Sequence, residues 1–142
     1  MIIYSDGSAS PNPGKGGFGV VVLSDVEEYI TCYSKHCDIT TNNAEELKAI
    51  IWALYNYGGC NPVVYSDSAY AINSLTVWKD NWKMNGWLKS DGKPPENLEL
   101  IKAYDRLWAD GFRIQLKKVK GHSNNKWNDM ADKLAKGEIR IK

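Results

Sequence analysis

Two short apolar runs in this chain end on the same three residues, Met1-Ile2-Ile3-Tyr4-Ser5-Asp6 and Val63-Val64-Tyr65-Ser66-Asp67. Runs so short and so rich in β-branched and aromatic residues read as strands buried on both faces, the kind that sit inside a helix-covered sheet. A carboxylate at the end of such a strand adds nothing to packing. On neighbouring strands the two would stand about 5 Å apart. At an effective dielectric near ~20 they would repel by on the order of 3 kcal/mol. A divalent cation is the obvious group to offset that charge.

A length of 142 residues fits one domain with a core of ordinary size. The formal net charge of +1 supplies no global basic field, so a nucleic-acid partner must be held by a local patch. No apolar stretch approaches the ~18 residues of a membrane span. Met1 opens straight into the first strand and leaves no room for a signal or transit peptide. Cys32, Cys37 and Cys60 are odd in number and lack a Cys-x-x-Cys pair, which reads as reduced thiols in a reducing compartment. Cys32, His36 and Cys37 fall close together without a fourth ligand, so zinc is not expected. The expectation is a cytoplasmic protein.

Between the two Asp-terminated runs, Gly7 to Gly17 is dense in Gly and Pro and reads as a turn. Phe18–Leu23 and Tyr29–Lys35 read as a hairpin. Leu47, Ile50, Ile51 and Leu54 recur with helical spacing, Asn42 or Asn43 is placed to cap that helix, and Gly58-Gly59 ends it. A helix is expected from about Ala69 to Val77, and another from Leu98 to Gly111. Phe112 to Lys117 alternates as a half-buried or edge strand does. A last helix carries Trp127, Met130, Ala131, Leu134 and Ala135 on one face. The order β-β-β-α-β-α-α-β-α suggests a mixed sheet flanked by helices, an α/β domain spanning 1–142.

Each polar candidate also has an ordinary structural reading. Asp6 can start a turn, and Asp67 can cap the helix after it. Helical geometry sets Glu46 at the border of the apolar stripe and turns Glu45 nearly opposite it, toward solvent. Glu46 can equally close a capping box with Asn43. Asp129 and Asp132 both lie off the stripe of the last helix, and periodicity does not choose between them; Asn128 shares the flank of Asp132. His122 stands in a polar loop, where a group titrating near neutrality can carry protons.

As a set, these segments resemble the type 1 ribonuclease H family. The resemblance runs through Tyr4-Ser5-Asp6-Gly7-Ser8, Asn12-Pro13-Gly14, Gly16-Gly17-Phe18-Gly19, Thr40-Thr41-Asn42-Asn43, Glu46-Leu47 and Tyr65-Ser66-Asp67-Ser68. It continues in Trp78, Trp82, Gly86, Trp87, Val119-Lys120-Gly121-His122, Asn128 and Asp132-Lys133-Leu134-Ala135. One such motif is weak; the ordered set, covering nearly the whole chain, is specific. It implies a mixed five-stranded sheet and endonucleolytic cleavage of the RNA strand of RNA–DNA hybrids, leaving 5′-phosphate and 3′-hydroxyl ends. By position, Asp6, Glu46, Asp67 and Asp132 would hold two Mg²⁺ ions, with Mn²⁺ as substitute; hard cations suit such an all-oxygen set. The resemblance selects Asp132 over Asp129 and makes His122 the group assisting proton transfer or product release.

Asn12, Asn42 and Asn43 would contact substrate, with Thr41 near a DNA-strand phosphate. Trp78, Trp82 and Lys83 would contact substrate from a basic protrusion at about 78–93, where lysines neutralise phosphates and exposed Trp faces meet sugars and bases. At least one of the three tryptophans there is expected to pack inward. Two departures bear on affinity: Ala69 stands where many relatives have Gln, and Met84 and Asn85 stand where further cations would be expected. Weaker, salt-sensitive binding follows, with the chemistry retained. A monomer with no membrane association and no obligate protein partner is the simplest expectation. Two rival readings are a fold of this type that binds duplexes without cutting, and a nuclease or strand-transfer enzyme with another substrate. The presence of all four carboxylates argues against the first, and the protrusion with the Gly-His loop against the second.

Overall fold

Hairpins build one half of the sheet and helix crossovers the other. β1 (Ile2–Ala9), β2 (Gly14–Leu23) and β3 (Tyr29–Thr40) pair antiparallel in succession. The chain then crosses the sheet as α1 (Asn42–Tyr57). It returns as β4 (Val63–Ser66), parallel to β1 on its free edge, and β5 (Gln115–Lys118) adds parallel to β4. The strand order is β3-β2-β1-β4-β5, a mixed five-stranded sheet. Between β4 and β5 come α2 (Ala69–Asn73), a π-helical turn (Ser74–Trp78), α3 (Lys79–Met84) and α4 (Leu98–Ala109); α5 (Lys126–Lys136) follows β5. The structure, a computed structural model, describes residues 1–119 and 125–139.

Strand alternation divides the core between the two faces. Ile3, Val20, Val22 and Val64 meet Leu47, Ile50 and Leu54 of α1, with Leu75, Ile101 and Tyr104 completing that layer. On the opposite face Tyr4, Val21 and Leu23 meet Ala131 and Leu134 of α5. Each such fully buried aliphatic side chain contributes about 1.5–3 kcal/mol. The described helices include none long and apolar enough to cross a membrane.

Several boundaries differ from the sequence expectation, each for a local reason. Most of the Gly-rich stretch is strand: β1 runs to Ala9, β2 starts at Gly14, and Ser10 N–H closes the connection on the Lys15 carbonyl at 2.8 Å. The glycines serve close approach rather than turning. A Cβ on Gly7 would overlap the backbone of Glu45 and Glu46, and one on Gly19 would come within 2.5 Å of the Ala131 carbonyl and Leu134 Cβ. β3 extends to Thr40 because the early part of β2 pairs with it. β5 starts late because Phe112 and Arg113 N–H groups go to the Leu107 and Gly58 carbonyls. The helical run after β4 continues past Val77 to Met84, since no breaker stands before Gly86, whose φ is +69°.

Candidate active site

The parallel register of β1 and β4 pairs Tyr4 with Tyr65 and Ser5 with Ser66, so the two Tyr-Ser-Asp runs lie side by side. The tyrosine rings stack at 5.0 Å with planes 18° apart, and Ser5 Oγ donates to the Tyr65 carbonyl at 3.2 Å. One residue on, Asp6 stands within β1 opposite Gly19 of β2, and Asp67 lies just past the end of β4. Asp67 does not cap the following helix. Ser68 does, its Oγ accepting from Ala71 N–H at 3.1 Å. The Asp67 carboxylate is thereby left to Asp6.

Glu46 reaches the same point from α1. The cap there is Thr41, whose Oγ1 accepts from Ala44 N–H at 3.1 Å. This corrects the expectation of Asn42 or Asn43, and the Asn43–Glu46 box does not form. Glu46 Oε1 instead accepts from Gly7 N–H, which also meets Asp6 Oδ1 at 2.9 Å. Carboxylate oxygens of Asp6, Glu46 and Asp67 all lie within 4.8 Å of one another. Asp132 faces the group from α5, close enough that its carboxylate helps to raise the Asp6 carboxyl. Asp129 is exposed on the same helix.

Three or four carboxylates so close cannot all ionise freely. Burial pushes the Asp6 carboxyl up to about 7; the hydrogen bond with Glu46 opposes this, while the charges of Asp67 and Asp132 add to it. Burial likewise holds Glu46 well above the usual carboxylate range, helped by Asp6 and Asp67 and opposed by the Gly7 N–H. With both groups raised, the Asp6–Glu46 pair resists carrying two negative charges at once. A buried, all-oxygen cluster with excess negative charge fits a hard divalent cation. Among the described residues a cation meets this group at Lys136, one helical turn from Asp132, with Nζ 3.1 Å from its Oδ2. That i,i+4 pair is legible in the sequence.

Glu45 corrects the helical-wheel expectation. It is 1% exposed, accepting from Thr40 Oγ1 at 2.6 Å and pairing with Lys48 Nζ at 2.6 Å. The end of β3 covers the flank that the apolar stripe leaves open. Glu45→Ala is expected to cost about 2 kcal/mol by leaving the Thr40 hydroxyl and the Lys48 charge without their partner; urea denaturation beside the wild type measures it.

Asn12 and Asn42 form one network. Asn42 Oδ1 accepts from Ala9 N–H at 2.6 Å, and Asn42 N–H donates to Asn12 Oδ1 at 3.1 Å. Asn43 sits half-buried in the first turn of α1. At the protrusion, Trp82 and Trp87 pack against the main core, while Trp78 is exposed and tilted against Trp82 at 5.8 Å. Lys83 is held by Asp105, Nζ to Oδ2 at 2.8 Å. His122 lies outside the described residues.

A family model for RNase H matches residues 1–140. The Ribonuclease H of Acetivibrio thermocellus is 43% identical over 141 residues, which cover 97% of this chain and 93% of that one. Among solved structures, the PFV RNase H domain in solution has a TM-score of 0.80 at 24% identity, covering 96% of this chain and 92% of that domain. LC11-RNase H1, crystallised in complex with an RNA/DNA hybrid, has a TM-score of 0.72 at 24% identity, covering 96% and 94%. At that identity the two structures speak for the fold.

Proposed function

The chain belongs to the RNase H family, and from that premise we propose that it cuts the RNA strand of RNA–DNA hybrids endonucleolytically, by a two-metal-ion mechanism leaving 5′-phosphate and 3′-hydroxyl ends. The observation that carries this reading is the β1–β4 register, which sets Asp6 beside Asp67 and within reach of Glu46. LC11-RNase H1, of the same fold, is solved with such a hybrid, which supports the choice of substrate. Asp6, Glu46, Asp67 and Asp132 would hold the cations, Mg²⁺ or Mn²⁺. When bound, these supply the positive charge that activates a water and stabilises the leaving oxygen.

The chain's own residues position and prepare. Asp6 and Glu46, both raised by burial and by their neighbours, would be held in their charged form by bound cations. Gly7 N–H aims Glu46. Asn42 spends its side-chain carbonyl on Ala9, so its Nδ2 hydrogens remain to donate to substrate oxygens. Thr41, Asn42 and Asn43 open α1, where a helix N-terminus favours phosphate, and Asn12 joins them through Asn42. Trp78, Trp82 and Lys83 belong to the protrusion at 78–93, and His122 would move a proton or assist product release. We place the protein in the cytoplasm as a single-domain monomer, a setting the three free thiols favour.

Incubation with labelled RNA–DNA, RNA–RNA and DNA–DNA duplexes, with Mg²⁺, Mn²⁺ or chelator, tests the reading. Only the RNA of the hybrid should be cut, only with metal, and neither Asp6→Asn nor Asp67→Asn should cut it. Uncut hybrid with either metal, or normal cutting by both variants, overturns the proposal.

A further inference from the structure

The protrusion carries Lys79, Lys83, Lys89 and Lys93, yet most of that charge is spent inside the protein. Asp105 of α4 takes Lys79 Nζ on Oδ1 at 2.7 Å and Lys83 Nζ on Oδ2 at 2.8 Å. Lys79 also lies 3.3 Å from Asp80, and Lys89 lies 3.8 Å from Asp91. Among the described residues Lys93 has no such partner. Against the upward pull of partial burial, hydrogen bonds from Lys79 and Lys83 hold the Asp105 carboxyl below the usual carboxylate range, while the same bond raises Lys83. The same segment also exposes apolar side chains, Val77, Trp78, Met84 and Leu88. Apolar and aromatic groups interleaved with lysines suit a sugar–phosphate backbone, but lysines already facing carboxylates release little counterion charge when a phosphate arrives.

We infer that Asp105 sets the affinity for nucleic acid by sequestering Lys83, which makes the protrusion a weakly cationic, chiefly stacking surface. This rests on the reading that the chain binds hybrids. The two lysines differ in what they can do. The Lys79 side chain is 8% exposed and cannot reach a phosphate, whereas that of Lys83 is 51% exposed and needs only to leave Asp105. Removing the Asp105 charge therefore frees one phosphate contact, not two. Asp105 is a positioning residue, acting through Lys83.

The test is the salt dependence of binding to a labelled RNA–DNA hybrid under chelator, so that nothing is cut. Asp105→Asn should bind more tightly at low salt, with a log–log salt slope steeper by about 0.9, the increment of one phosphate contact. Between about 50 and 200 mM salt that is a further loss of roughly threefold. The double variant Asp105→Asn/Lys83→Ala should return the slope to the wild-type value, and in the cleavage assay the change for Asp105→Asn should sit in KM. If Asp105→Asn unfolds because Lys79 is left buried beside a neutral group, Lys79→Met/Asp105→Asn removes that charge and should show the same steeper slope. An unchanged or shallower slope in a folded variant overturns the inference while leaving the proposed function standing. Absence of hybrid binding in every variant and in the wild type overturns both.

Discussion

Asp6→Asn is expected to abolish cleavage and, in the metal-free protein at pH 8, to raise the melting temperature. The activity loss should be on the order of a thousandfold or more, because the carboxylate proposed as the central metal ligand is gone. The stabilisation follows from linkage. Asp6 is raised in the folded state from 3.8 to about 7, so between those values the folded protein binds more protons than the unfolded chain. Stability is then fully present below about pH 4 and is lost as pH rises through 7. An amide carries no charge to be repelled and escapes the loss. Moving a carboxyl's titration by one pH unit between the unfolded and folded states changes stability by about 1.4 kcal/mol. Allowing for the altered bond to Glu46, a gain on the order of 2 kcal/mol is expected, or about 5 °C for a domain of this size. Thermal denaturation under chelator should show the variant level with wild type near pH 4 and clearly above it at pH 8. Adding Mg²⁺ at pH 8 should raise the wild type and close the gap. Equal melting temperatures at pH 8 without metal would show that the folded site does not strain its carboxylates.

Gly7→Ala is expected to lose both stability and activity. Its Cβ would overlap the peptide joining Glu45 and Glu46, and backbone, unlike a long side chain, cannot swing aside. The N-terminal turn of α1 must lift off β1, an overpacking cost of about 1–3 kcal/mol. The same movement carries Glu46 away from the Gly7 N–H and from Asp6, and a displacement near 1 Å at a reacting centre costs on the order of a hundredfold in rate. Denaturant unfolding and kcat measured together check this. The two variants separate cleanly: Asp6→Asn is inactive and more stable without metal, whereas Gly7→Ala is impaired and less stable at every pH.

The parts legible in the sequence were those where one residue type serves one dominant force. The apolar stripe of α1, that of α5 and the twin Tyr-Ser-Asp runs all stand where periodicity put them. Legibility failed where a residue answers to a neighbour far along the chain. Gly16 and Gly17 look like turn formers but sit inside β2, because β1 and β3 crowd them from either side. Glu45 faces away from the helical stripe, yet Thr40 of β3 and Lys48 enclose it. Thr41 rather than an asparagine caps α1, since Asn42 is engaged by Ala9 and Asn12. At the carboxylate cluster, helix geometry left Asp129 and Asp132 equivalent; only the placement of α5 on β2, where Gly19 admits it closely, brings one of them to Asp6. Lys83 shows the same limit in reverse, a cation in sequence whose charge a distant aspartate cancels.

The side-by-side Tyr-Ser-Asp runs also govern when the chain can become a nuclease. The bond from Ser5 to the Tyr65 carbonyl joins residues 60 apart, so no carboxylate pair exists until β4 has been synthesised and has found β1. Because side chains alternate between faces, a slip of one residue would turn Asp67 away from Asp6. Asp132, on the last helix, arrives later still. A growing or misregistered chain is therefore inert by construction, and hydrolytic power switches on only with the finished sheet.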